Sequence, residues 1–378
     1  PLPIRVYWPK GQVSKGVSAA DRRPTLAPAV IARAAAIAEE ELLRRLGERP
    51  PLKAAVIDDA LAQVLVPFNE RTASKAAVAL PRGSSIAAPP GKRYRLFLHW
   101  CEPEVGGQRT DVDLSVAFYD AAWEYKGVCS YYQLTYNVDD AAIARSSGDL
   151  RAAPFPKGAT EFVDVDREAA RAAGLRYAVM VVNNYAGMPF DRLERGFAGL
   201  MLRDDLGGHH FDPRTVALRF DLAGANGVYM PMLFDLEEGR IHWLDVYSTG
   251  MPAMNNVASS KGAIARICPE MLAYFASGVR PSIRELALLH AAARCEAVLL
   301  RGEAERLLVR EPGESARDFL GRLRREEGAQ PGDGLPGGGA PLFAALFRGD
   351  LDLPEGSTCY ALFRERVSAP IAAGDLLT

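Results

Sequence analysis

The sequence predicts a mainly β protein: an antiparallel β-sandwich flanked by an N-terminal helical segment and a C-terminal α+β module. Three observations carry this. Between residues 75 and 250, eight short runs rich in Val, Tyr, Phe and Leu follow one another, most of them separated by Gly, Asp or Asn. That is the texture of short strands joined by tight turns. Residues 27–46, APAVIARAAAIAEEELLRRL, consist of strong helix formers with apolar residues at helical spacing. After Gly250 the pattern turns helical again, and it is interrupted at 328–341 by GAQPGDGLPGGGAP, which reads as a flexible loop. The boundaries expected from these shifts are 1–74, 75–250 and 251–378.

Taken in order, IRVYW (4–8) reads as a short strand, and Pro50-Pro51 ends the first helix. Residues 52–80 are mixed, and no periodicity assigns them. The sandwich runs are RYRLFLHW (93–100), DVDLSVAFYD (111–120), SYYQLTYN (130–137), YAVMVVNNY (177–185), GFAGLMLR (196–203), TVALRFDL (215–222), VYMPMLFDL (228–236) and RIHWLDVY (240–247). The DLEEGR turn (235–240) joins the last two as a hairpin. A short helix is expected at 166–174, capped by Asp166 and ended by Gly174. Beyond the sandwich, helices are expected at 261–278, 281–300 and 314–327, and strands at 305–311 and 358–366.

Composition narrows the function classes. Hydrophobic residues make up 48% and charged residues 24%, so the chain has enough apolar surface for a packed core. The 45 basic side chains nearly cancel the 47 acidic ones, so the total charge marks no dedicated nucleic-acid or membrane-surface binder, a local basic face apart. No apolar run approaches the ~20 residues of a membrane span, and the first residues do not read as a secretory signal. The chain starts without Met, as a piece of a longer protein would. The five cysteines, Cys101, Cys129, Cys268, Cys295 and Cys359, are isolated, which suits reduced thiols in a cytoplasmic protein and no zinc site.

The chemistry-bearing residues are mostly acidic. Asp111 and Asp113 lie two apart in an expected strand, so their carboxylates leave on the same side. Asp149, Glu161, Asp164 and Asp166 follow in the next long connection. Carboxylates brought together repel and call for a cation. Calcium, with six to eight oxygen ligands, suits carboxylates on irregular loops. Solvated turn acids are the other reading of the same residues. Three further features read as structural. His209-His210 lies in an exposed turn, His242 and Trp243 alternate faces of a strand, and His290 packs on an Ala-rich helix. His99 and Cys101 share a strand face, as a strand end with a buried thiol does. There is no phosphate loop and no hydrolase elbow.

One resemblance is carried by several spaced motifs. LPRGSSIAAPPGKRYRLFLHW (80–100), DVDLSVAFYD, SSGDL (146–150), GATEF (158–162) and YAVMVVNNYAGMPFDRLERGFAGLMLRDD (177–205) stand in the order seen in the TerD family, the bacterial tellurite-resistance and stress-response domain. This stretch of about 175 residues resembles that family. The resemblance implies a β-sandwich that binds calcium and carries no catalytic activity, with Asp111, Asp113, Asp149 and Glu161 as metal ligands. Leu150 replaces an Asn of the family pattern, and Ala159 and Thr160 replace two aspartates, so one reduced calcium site is implied where the family has two. The flanking segments are similar to those of longer bacterial proteins that join such a unit to other modules, some with a RING-like zinc module. The function expected is a calcium-linked scaffold or interaction protein whose partners are other proteins of a stress-response complex, without nucleic acid. The alternative is an enzyme with its activity in the C-terminal module and the sandwich as regulator.

Overall fold

The computed structural model describes residues 4–7, 17–67, 80–106, 109–185, 189–203, 216–222, 228–248 and 257–363. The chain packs as two compact units. One joins Leu2–Asp21 to Pro67–Val279, and the other joins Arg22–Val66 to Arg280–Thr378. These units differ from the linear division into 1–74, 75–250 and 251–378. The physical reason is a strand that no periodicity assigned, β3 (Leu52–Asp58), whose neighbours in its sheet come from the last hundred residues.

Among the described residues, every strand pairing in the larger unit is antiparallel. A two-stranded ribbon pairs β1 (Ile4–Tyr7) with β2 (Val17–Ala20). The main strands are β4 (Ser85–Ala87), β5 (Arg93–Cys101), β6 (Val112–Tyr119), β7 (Tyr125–Cys129), β8 (Thr135–Val138), β9 (Ala141–Ser146), β10 (Ala159–Asp166), β11 (Tyr177–Asn184), β12 (Arg195–Arg203), β13 (Val216–Asp221), β14 (Val228–Asp235) and β15 (Arg240–Ser248). They form two six-stranded sheets, ordered β13-β12-β5-β10-β9-β8 and β4-β15-β14-β11-β6-β7. Aromatic pairs join one sheet to the other: Tyr94 stacks on Phe234 with centroids 5.8 Å apart, Phe118 stacks on Tyr136 at 5.1 Å, and Phe220 meets Trp243 edge-on at 5.0 Å. Each such residue removes a large apolar area from water, which is what holds two sheets face to face.

Local chemistry explains the joints. Asp166 Oδ1 accepts from Ala169 N and starts α2 (Arg167–Ala172), and Gly174 takes the left-handed φ of +75° after its end. The β14–β15 hairpin turns on Gly239 at φ +63°, and Asp235 pairs with Arg240 across it. At the start of β4, Arg82 and Asp245 form a buried ion pair at 3.0 Å, and the Tyr229 hydroxyl donates to the same carboxylate. The helix α3 (Val257–Ala276) completes this unit. SYYQLTYN is a strand only over Thr135–Val138, because Ser130 and Gln133 bond across a turn.

The smaller unit is α/β. Its sheet runs β18 (Gln330–Pro331), β17 (Glu305–Val309), β16 (Cys295–Arg301), β3, β19 (Phe343–Arg348) and β20 (Thr358–Phe363). The four strands from β16 to β20 in that order are parallel, and β17 and β18 are antiparallel. Its helices are α1 (Pro28–Gly47), α4 (Ile283–Arg294) and α5 (Ala316–Arg325). Ser282 and Ser315 cap α4 and α5 through Glu285 N and Asp318 N. The helix expected to reach residue 300 ends at Arg294. CEAVLLR continues as a strand because its apolar run pairs with β3, and a run that short fits either period. α1 buries Leu43 and Leu46, while Val30, Ile31 and Ile37 in its first turns are exposed. No helix among the described residues is long and apolar enough to cross a membrane.

Candidate metal centre

One end of the β-sandwich gathers the start of β6, the end of β11, the turn after β7 and the loop between β9 and β10. The register fixes this. Val112 pairs with Asn184 and Asp113 with Asn183, Val116 pairs with Cys129, Val163 pairs with Ser146, and Ala159 pairs with Trp100 at the end of β5. The backbone of Asp111 is held where it enters β6 by Tyr185 N, which donates to its carbonyl at 2.9 Å. Two carboxylates, the half-buried Glu102 and the buried Glu161, tie the loops together. Glu102 Oε1 accepts from Thr110 N at 3.0 Å and from Ala153 N at 2.9 Å. Glu161 accepts from Leu114 N through one oxygen and from Leu150 N through the other, both at 2.9 Å. The loop that carries Asp149 is further pinned by Ser147, whose hydroxyl accepts from Phe162 N, and it bends at Gly148 with φ +130°.

This scaffold brings Asp111, Asp113 and Asp149 together, with one oxygen from each within 4.8 Å of the others. Asp113 is 2% exposed. Burial, then the charges of Glu161, Asp111 and Asp149, push its carboxyl up to about 8, with the Arg151 charge opposing. Asp111 moves in the same direction through burial and Asp149. Its Oδ1 is buried without a hydrogen-bond partner among the described residues. Glu161 is pushed up to about 7 by burial, with the two backbone N–H groups working against the shift. Asp149 also pairs with the exposed Arg151 at 2.9 Å. The Tyr131 ring stands beside the cluster, and burial and Asp113 push its phenol up to about 12.

The donor set fits a hard cation. All three groups offer oxygen, and opposite ligands on a calcium ion lie about 4.6–5.2 Å apart when each bond is about 2.3–2.6 Å. A cation would also relieve the repulsion that raises these carboxyls, as would a proton. Of the four residues expected from the sequence, three meet. Glu161 lies outside the three-carboxylate group and anchors the loops that present it. Glu161 is an expected ligand, but its clamping role and that of Glu102 arise from cross-strand register between distant segments, and no local motif signals Glu102.

The other candidates sit in packed surroundings. His99 Nδ1 lies 2.9 Å from Thr160 Oγ1, its ring tilts against Phe197 at 4.7 Å, and Cys101 is buried beside it. His290 is buried with its ring stacked on Phe343 at 5.5 Å. Burial pushes the thiols of Cys129, Cys268 and Cys295 up to about 12 and that of Cys359 to about 11, which disfavours the nucleophilic thiolate. His209-His210 lies outside the described residues. In the α/β unit, the carboxyl ends of the parallel strands, where open sheets bind ligands, are occupied by ion pairs. Arg301 bridges Asp58 and Asp350, and Arg284 and Arg306 both bind Asp59 and Glu326. A groove of ≈ 450 Å³ on this unit is lined by Glu40, Arg44, Glu48 and Arg317 among small and apolar residues.

No family model and no curated protein matches the chain. Among solved structures, it is similar to a protein of unknown function, SAV2460, at 14% identity over 47% of this chain and 96% of that one, with a TM-score of 0.34. It is also similar to a homologue of telluride resistance protein (TerD), SCO6318 from Streptomyces coelicolor A3(2), at 12% identity over 47% and 98%, with a TM-score of 0.31.

Proposed function

We propose that this chain is a TerD-like, non-enzymatic stress-response protein of the tellurite-resistance type, in which one calcium ion at Asp111, Asp113 and Asp149 sets the state of a scaffold or interaction surface. The observation that carries the reading is the convergence of three carboxylates around a nearly buried Asp113, with a buried oxygen of Asp111 left unbonded. Such an arrangement is costly unless a cation or a proton neutralises it. The order of motifs from Leu80 to Asp205 supports the family, and the absence of the two aspartates at Ala159 and Thr160 supports one ion rather than two.

Thermal unfolding of the whole chain in excess calcium and in chelator tests this, followed by tryptophan emission because Trp100, Trp123 and Trp243 report on the β unit. At about 100 times its dissociation constant an ion stabilises by about 2.7 kcal/mol, a rise on the order of 5–10 °C for a unit of this size. The rise is expected in the wild type and is lost in Asp111→Ala and Asp149→Ala. Wild type and variants melting together in both media would refute calcium binding.

A further inference from the structure

The end that holds the three aspartates differs in a second way from the rest of the β unit. Its large apolar side chains point into water. Val105 is 87% exposed, and Tyr132, Leu134, Leu150, Phe155 and Tyr185 are between 39% and 47% exposed. Among the described residues of this unit, the remaining exposed side chain of that kind is Val279. The six come from four separate connections: β5 to β6, β7 to β8, β9 to β10, and the residue after β11. The same register that gathers the aspartates brings these connections to one end, and rings mark the contact, with Tyr131 meeting Tyr132 at 4.9 Å and Tyr185 at 6.3 Å. Exposed basic side chains, Arg109, Arg151 and Lys157, rise from two of the same connections, with the exposed acid Glu104 beside Val105.

Apolar residues gathered at one end of an otherwise polar surface mark a place that meets another apolar phase. We infer that this end, once calcium is bound, docks onto an anionic phospholipid surface. Three features favour lipid over a protein partner. The apolar side chains sit on four separate connections at one end of the unit, each of them exposed. Arg109 and Lys157 beside them are attracted by the negative potential of an anionic leaflet, and Arg151 joins them once an ion takes over the Asp149 carboxylate with which it pairs. The chain supplies three carboxylates to an ion that takes six to eight oxygens, which leaves positions for headgroup phosphate or carboxylate oxygens. Without the ion, the same carboxylates repel the headgroups, so docking depends on calcium. The inference rests on the calcium reading above and adds the surface to which the ion is the bridge.

The test is cosedimentation of the whole chain with vesicles of phosphatidylcholine alone and with about 30% phosphatidylserine, each in calcium and in chelator, alongside the thermal shift. Partition is expected to be at least ~10-fold stronger with phosphatidylserine and calcium together than in any other arm. The double variant Tyr132→Ser/Leu134→Ser lies outside the carboxylate group, so it keeps the calcium-induced thermal shift and loses about 10-fold in partition. A missing thermal shift would overturn both readings. A thermal shift without vesicle binding, or with equal binding to phosphatidylcholine alone or in chelator, would overturn lipid docking and leave calcium binding standing. Calcium-driven dimerisation in solution without vesicle binding would do the same, and would make this end an interface between copies.

Discussion

Asp113 and Glu161 are both buried carboxylates at the same end of the β unit, and burial pushes both upward, but two backbone N–H groups oppose the shift at Glu161. Glu161 spends its two oxygens on Leu114 N and Leu150 N. Truncation would strand two backbone donors, each costing about 1–3 kcal/mol. Glu161→Ala is therefore expected to lower stability by about 2–5 kcal/mol in calcium and in chelator alike. Asp113 has burial and three neighbouring carboxylates against its charge, with the Arg151 charge opposing them. Asp113→Asn removes that repulsion and is expected to stabilise the chelated protein by about 1–3 kcal/mol while abolishing the calcium-induced rise. Denaturant melts of the two variants in both media check the pair of signs. A loss of stability in chelator for Asp113→Asn would mean that its carboxyl is already satisfied there.

At the scale of a strand, β15 shows how pairing sets a titration. His242 pairs with Leu233 on β14 and with Ser85 on β4, and burial, then the Arg240 charge, push its imidazole down to about 4, with Asp235 opposing. The folded strand thus binds this proton more weakly than the unfolded chain, whose value is about 6.5. The contribution is complete above about pH 6.5 and is lost as pH falls from there towards 4. Melting of the β unit should fall across that window by an amount on the order of 2–3 kcal/mol, and His242→Gln should remove this part of the slope; equal slopes for variant and wild type would refute it. β15 was also readable in the sequence, as were β5, β6, β11 and β14, because each is a run of β-branched and aromatic residues closed by turn residues. YKGVC, AAIARS and ATEFVDVD, which form β7, β9 and β10, carry no strand pattern of their own. They are short or mix polar and small residues, and neighbours in the sheet decide them. The same holds within the candidate site. Asp111, Asp113 and Asp149 sit in motifs that can be read locally, but the clamp by Glu161 exists only after β10 and β6 meet.

For the whole molecule, the decisive segment is Leu52–Asp58. It is seven residues long, has no alternation because both its faces are covered, and lies between β16 and β19, which follow it by more than two hundred positions. Parallel strands buried on both faces read as continuous apolar runs, which a sequence taken alone cannot assign to a distant sheet. Ala54 and Val56 belong to one buried cluster with Leu299, Leu342, Ala344, Leu346 and Cys359. Removing β3 would take two members from that cluster and leave β16 and β19 with open inner edges, as hazardous for folding as any unpaired strand. Residues 280–378 alone are therefore expected to lack a cooperative melt, and residues 22–66 supplied as a separate chain should restore one through the β3 pairing. Residues 67–279 keep both six-stranded sheets and are expected to melt cooperatively without the rest. Circular dichroism melts and amide exchange of the three fragments check this. A cooperative transition in 280–378 alone would show that β16 and β19 can close against each other and that the N-terminal strand is an addition to a finished fold.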